Sequence, residues 1–278
     1  HQLKKLKELT DDLSDAQLQS IADDLKQIGT RLLKSNNVKI GLIGEKNDIE
    51  PAISYADALK KNLGTGSDTG FKPPALYFSE GPVREGWSTT SAVSFVASVF
   101  QTNRITHEHA PALAVISKIL RSMFLHREIR EKGGAYGGFA AYQLENGLFC
   151  FASYRDPHIF NTLNVYDAAS DFIVSGQYTD EDIKEAILQV CADIDRPDTP
   201  NSAAGKSFYR NLTGLTDDIR KIFKERLLAL NREKVLQVAH QYFGDAQGIT
   251  SVAVISNENS LKDAVEKLKD KPLKLNRI

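Results

Sequence analysis

Residues 126–154 read HREIREKGGAYGGFAAYQLENGLFCFASY. The first seven are charged and compatible with a helix, and Gly133-Gly134 ends them, because glycine takes up left-handed backbone without steric cost. Gly137-Gly138 form a second pair, and the two pairs together predict a helix stop followed by an exposed loop. Phe139–Leu144 and Leu148–Tyr154 then flank Glu145-Asn146-Gly147. Asn-Gly between two apolar runs is a strong hairpin signal. A helix feeding an antiparallel hairpin excludes an all-helical bundle and a purely parallel sheet.

The pattern on either side agrees. Upstream, residues 110–130 predict a helix with Leu113, Ile116, Leu120 and Met123 on one face, and Val83–Thr102 alternates like a strand. Downstream, helices are expected near 160–175 and 180–194. Thr179 is placed to cap the second, and Asp180, Glu181 and Asp182 oppose the positive end of its dipole. Residues 195–214 form a polar connector with helical potential. Helices near 216–230 and 232–243, a strand Ile249–Ser256 and a helix near 259–268 close the chain. At the other end, residues 1–35 read as a helical arm. Ser14 and Gln17 have capping-box spacing, and Leu18, Ile21, Leu25, Ile28 and Leu32 form one apolar stripe. Val38–Gly44 is strand-like, a helix spans about 49–62, and 64–74 is a Gly- and Pro-rich loop. The expected fold is α+β: a mixed, largely antiparallel sheet with helices on one face. The expected division is a helical interdomain segment, 1–35, and one domain, 36–278.

Lys and Arg number 35 against 36 Asp and Glu, a formal net charge of −1. Nothing in that balance favours nucleic acid or an anionic membrane as partner. No apolar run reaches the length of a membrane span, and the N-terminal HQLKKLKEL is too charged for a signal sequence. Cys150 and Cys191 cannot build a disulfide framework and read as reduced core thiols, which fits a soluble protein of a reducing compartment such as cytoplasm or organelle matrix.

Few stretches carry chemistry. His107-Glu108-His109 has the alternation that puts two imidazoles on one strand face, but it sits where a strand gives way to a helix, with Pro111 following and no further ligand nearby. The expectation is no metal site. None of the six histidines forms an H-x-x-E-H or H-E-x-x-H array. Gly205-Lys206-Ser207 carries only the tail of a phosphate-binding loop. The glycine pairs at 133–138 follow a helix and precede a strand, the reverse of a phosphate cradle. What remains is Arg130 and Tyr136, a permanent cation and a phenol on either side of Gly133-Gly134. Both donate hydrogen bonds to a carbonyl or an oxyanion. The plainer alternative pairs Arg130 with a surface carboxylate and packs Tyr136 on the sheet.

The segment LHREIREKGGAYGG, with His109-Ala110-Pro111-Ala112-Leu113 before it and Tyr154-Arg155-Asp156-Pro157 after the hairpin, resembles the pitrilysin/insulinase family of zinc metallopeptidases. It looks most like the presequence-protease branch. Phe139 departs from the pattern, standing where relatives often continue the glycine run. The resemblance implies four similar α+β domains in two halves that close around a chamber, with zinc held in the first domain. It makes this chain the last domain, without the zinc motif, and inactive alone. It gives Arg130 and Tyr136 catalytic and substrate-binding roles, with Gly133 and Gly134 in the substrate-binding loop. The expected cofactor is zinc in the N-terminal half and none here. The expected partners are peptide substrates and that half, on the same polypeptide or on a partner subunit. The alternative is a non-catalytic core or regulatory homologue serving as scaffold or peptide-binding subunit.

Overall fold

The computed structural model describes residues 2–11, 13–66, 82–244 and 250–277. His1, Ile249 and most of the 64–74 loop lie outside them. The chain divides into two compact units: residues 1–77 with 197–215, and residues 78–196 with 216–278.

The first unit is helical: α1 (Gln2–Asp11), α2 (Asp15–Leu32), α3 (Lys46–Asn62) and α7 (Pro200–Thr213). Ser14 caps α2 as its spacing foretold, accepting from Gln17 N while its own N–H donates to Gln17 Oε1. The α2 stripe is not a buried face: Leu18, Leu25, Ile28 and Leu32 are all exposed. Val38–Gly44 is not a strand. A strand needs a neighbour to satisfy its backbone, and among the described residues none pairs with this run. The run instead brings Gly41 so near α7 that a Cβ there would lie 2.9 Å from the Phe208 ring. The connector's helical potential is realised as α7, which Thr199 caps through Ser202 N.

The second unit holds a six-stranded mixed sheet in the order β3-β4-β2-β5-β1-β6. Its strands are β1 (Arg84–Ser88), β2 (Ser94–Gln101), β3 (Gly137–Gln143), β4 (Leu148–Asp156), β5 (Thr250–Ser256) and β6 (Lys274–Arg277). The pairs β3/β4, β4/β2 and β2/β5 are antiparallel, whereas β1 runs parallel to β5 and β6. The α+β expectation holds. The single strand expected over 83–102 is two, broken at 89–93, where the Ser91 hydroxyl accepts from Val93 N and donates to Val93 O. The break sends β1 and β2 to opposite sides of β5.

Alternation decides the two faces. Val96 and Phe100 of β2 and Phe149 and Phe151 of β4 are buried against helices α4 (Ala110–Ile119), α5 (Phe160–Ser175) and α9 (Arg232–Phe243). Phe149 and Phe243 meet edge to face at 4.9 Å. The Tyr166 hydroxyl of α5 donates to Val96 O at 3.0 Å. Burial pushes its pKa far above the ordinary phenol value, so it remains a donor. Each buried aromatic removes about 150–250 Å² from water, which makes this cluster a large apolar contribution to the fold. The other face carries Phe95, Ala97 and Val99 of β2, only half-buried. Helices α6 (Asp180–Ile194) and α8 (Asp217–Leu228) pack outside α4, and α10 (Glu258–Lys267) lies on β1. Thr179 caps α6 with a full capping box to Asp182.

Candidate functional site

The helix from Ala110 does not end at 130. After α4 it continues as a π-helical segment, Leu120–Lys132. Helices widened in this way are uncommon and recur at functional sites. Leu113, Ile116 and Leu120 are buried as the periodicity required, and Met123 is half-buried.

Gly134 stops the helix with φ 73, the left-handed region. Its N–H donates to Arg130 O, and Ala135 N donates back to Ile129 O, both at 3.1 Å. The first bond is that of the left-handed C-cap motif, and the second, one residue wider than a standard cap closure, follows the widened helix, with Ala135 buried beneath it. The two bonds fix how the chain leaves the turn that carries Arg130. Gly133 is the half-buried cap residue, and its N–H also reaches Arg130 O. The second glycine pair is not the exposed loop expected of it. Gly137 and Gly138 are buried and begin β3. The reason is close approach, because a Cβ on Gly138 would lie 2.9 Å from Ile129 Cβ. The π-helical segment thus lies directly on the sheet.

Between the pairs stands Tyr136, 66% exposed. Its N–H donates to Tyr154 O at 3.1 Å and Arg155 O at 3.4 Å, tying it to the end of β4. Its ring meets Tyr154 edge-on at 5.6 Å. The hydroxyl has no partner among the described residues. Arg155 is the one non-glycine described residue with positive φ, 50. That strained backbone is anchored by buried Asp156, which accepts from His158 N at 2.8 Å and from Thr162 Oγ1 at 2.7 Å.

The charges on the helix end are sorted. Glu128 accepts from Arg127 at 2.7 Å and Lys132 at 2.9 Å. The bond from Lys132, aided by Arg127, holds its carboxyl below the usual range. Arg130 has no carboxylate partner among the described residues. It is exposed, with Nη1 3.5 Å from His126 Nε2, while His126 Nδ1 lies 3.2 Å from Glu131 Oε1. The surface ion pair of the plainer reading is therefore taken by Arg130's neighbours. The sequence places His126 one helical turn before Arg130, and Tyr154-Arg155 in the hairpin end that carries the family resemblance, but it does not show the contact of Tyr136 with Tyr154 and Arg155.

The His107-Glu108-His109 cluster does something else. His107 and His109 meet edge to face at 4.6 Å, and His109 Nδ1 lies 3.0 Å from Tyr242 Oη. Tyr242 also accepts from Asn103 Nδ2, and the Asn103 carbonyl accepts from Tyr142 Oη at 2.5 Å. Among the described residues no three of His, Cys, Asp and Glu cluster as a metal would require. Burial, then the neighbouring His107, pushes the His109 pKa below 6.5, with Glu108 opposing. The folded state therefore favours neutral His109. The unfolded chain takes up that proton more readily, so this contribution is present above about 6.5 and is lost as the pH falls below it. Urea midpoints of wild type and His109→Asn should accordingly converge as pH drops from 7 to 5. Parallel curves would deny His109 that role. Both cysteines are free; Cys191 packs against the core as expected, whereas Cys150 is not a core group but stands beside Val99 on the half-buried face, where burial still raises its thiol pKa.

Comparison with known proteins brings these observations together. The family model described as the PreP C-terminal domain matches residues 89–258. A mitochondrial presequence protease of Danio rerio is 38% identical over 167 residues, which is 60% of this chain and 16% of that protein. Another from Xenopus tropicalis is 32% identical over 202 residues, 73% of this chain and 18% of the relative. The chain thus matches less than a fifth of the length of either relative. A protease from Helicobacter pylori shares the fold, with a TM-score of 0.56 and 18% identity over 73% of this chain and 52% of its own. Pitrilysin does so with a TM-score of 0.55 and 16% identity over 82% of this chain and 25% of its own. The glycine loop, Tyr136, Arg130 and the hairpin all fall inside the matched residues, and the chain belongs to the PreP C-terminal domain family, with the fold of the pitrilysin-type peptidases.

Proposed function

We propose that this chain is the C-terminal portion of a zinc-dependent endopeptidase that degrades unstructured peptides in a closed chamber, and that it supplies substrate contacts and part of the transition-state stabilisation. The observation that carries the reading is a donor pair on two sides of one capped turn: among the described residues the Arg130 guanidinium, which reaches only His126, has no carboxylate partner, and the Tyr136 hydroxyl has no partner. In a peptidase such groups have an evident use. When a nucleophile adds to a peptide carbonyl, charge grows on the oxygen, and a positioned Tyr136 hydroxyl donates to it without being ionised. Arg130 holds a neighbouring backbone carbonyl and orients the chain. Gly133 and Gly134 let a peptide backbone come close.

Neither residue generates a nucleophile. Among the described residues the histidines do not fit a zinc site: His109 is committed to Tyr242 through Nδ1, and with neighbouring His107 and Glu108 it forms no group that could hold a metal. Zinc and the attacking water belong to the N-terminal half, which is also the partner proposed for the exposed α2 stripe. Exposed apolar stripes of this length mark surfaces that pack on something. Residues 1–35 would then be an interdomain segment preceding a domain at 36–278. The mitochondrial relatives favour an organelle matrix. No described helix is long and apolar enough to cross a membrane. A scaffold homologue, the alternative, has no need of a guanidinium and a phenol both left without a carboxylate or carbonyl partner among the described residues.

Recombination of separately purified halves tests the proposal. This chain alone should bind no stoichiometric zinc and cleave no fluorogenic peptide. The N-terminal half should bind zinc, and activity should arise only on mixing. Turnover by this chain alone would overturn the assignment.

A further inference from the structure

Tyr136 begins a row of apolar side chains that crosses the open face of the sheet, away from the helices. Its ring meets Tyr154, whose ring meets Phe95 edge-on at 5.4 Å. Phe95 stands opposite Ile255 in the β2/β5 register. Residues directly opposite in a ladder project to the same face, so Phe95 and Ile255 share the face opposite buried Val96 and Val254, and the Tyr154 ring reaches Phe95 across the irregular β2/β4 register there. Tyr154 is 38% and Ile255 42% exposed. Beside this row lie Ala152, Ala97 and Ala253, also in register with one another, which leave space along its flank.

We infer that Tyr154, Phe95 and Ile255 are specificity-determining residues of the proposed peptide site, and that they take a large apolar side chain of the substrate at a distance from the cleaved bond. The inference rests on reading Tyr136 as a contact to the attacked carbonyl. The occupant is the substrate itself because the row is continuous, ring to ring, with the residue that carries the donor. The row crosses strands rather than following one, so the peptide traverses the face instead of adding a strand. From the β3 line to β5 is three strand spacings, about 14 Å. An extended chain advances about 3.3 Å per residue, so Ile255 is reached about four residues from the attacked carbonyl. Arg155 over the Tyr154 ring, at 5.6 Å, flanks the row with a cation.

The test uses the full-length protease and a set of quenched peptides in which one leucine replaces serine at successive positions. At one position three to five residues from the cleaved bond, leucine should raise kcat/KM about tenfold over serine, the discrimination expected of an apolar subsite. In Ile255→Ser that ratio should fall to about one, and in Ile255→Leu it should persist. Arg130→Ala should slow the leucine and serine peptides together and leave their ratio near ten. The absence of any preferred position in that window, or a ratio that survives Ile255→Ser, would overturn the inference. So would an Ile255→Ser enzyme with a lowered Tm and both peptides slowed alike, because the face would then be a packing surface. Full activity in Arg130→Ala and Tyr136→Phe would instead remove the carbonyl reading on which it rests.

Discussion

Tyr136→Phe in the full-length enzyme should lower kcat by about 10²–10³-fold, the usual loss when one oxyanion donor is removed. KM should change little, because the donor acts on charge that exists only in the transition state. The substitution removes one oxygen from a side chain that is 66% exposed and whose hydroxyl bonds to nothing described. The backbone ties from Tyr136 N to Tyr154 O and Arg155 O are untouched. Loss of activity would therefore report on chemistry and not on folding. Arg130→Ala should raise KM as well as lower kcat, since a guanidinium on a neighbouring carbonyl also holds the ground state. Zinc content should be unchanged in both. Steady-state kinetics with metal analysis decide the matter, and near wild-type turnover in both variants would leave the loop a structural element only.

Asp156→Ala should have the largest effect on stability. The carboxylate is 1% exposed and joins the end of β4 to the start of α5 through His158 N and Thr162 Oγ1. Hydrogen bonds to a charged group contribute about 1.5–3 kcal/mol each, and a buried orphan hydroxyl is left behind. A loss of about 3 kcal/mol is expected, or roughly 6–12 °C in Tm for a unit of this size. Asp156→Asn keeps one good acceptor and should lie between. Because Asp156 follows the strained Arg155, the alanine variant should also loosen the carbonyls that hold Tyr136. Peptidase activity at 25 °C should then fall further than the folded fraction does. Thermal unfolding of the isolated chain, beside activity of the full-length variant, checks both parts.

The parts of the fold legible in sequence were those fixed by local chemistry. Thr179 with Asp182, and Ser14 with Gln17, make their caps from residues three apart. The hairpin was legible through Asn146-Gly147, although only Gly147 takes left-handed backbone, φ 67, so the loop spans four residues rather than the two of a mirror-image turn. The misreadings depend on residues far away in sequence. Val38–Gly44 has strand composition but, among the described residues, no strand beside it. Gly137-Gly138 read as loop because the approach of Ile129 cannot be seen locally. Lys274–Arg277 is a strand only because β1 lies next to it, and four largely polar residues gave no signal. At the candidate site, the residue types of Arg130 and Tyr136 were legible. That Glu128 takes Arg127 and Lys132, while Arg130 has no carboxylate among the described residues, is a matter of three-dimensional geometry.

The most direct test of the central claim uses a peptide phosphonate that imitates the tetrahedral transition state and a matched uncleavable amide that imitates the substrate. Their affinities for wild-type and Tyr136→Phe full-length enzyme are measured by calorimetry. If Tyr136 donates to the developing oxyanion, phosphonate affinity falls by about the same factor as kcat/KM, while amide affinity is nearly unchanged. Equal weakening of both ligands, or no weakening of the phosphonate, would contradict it.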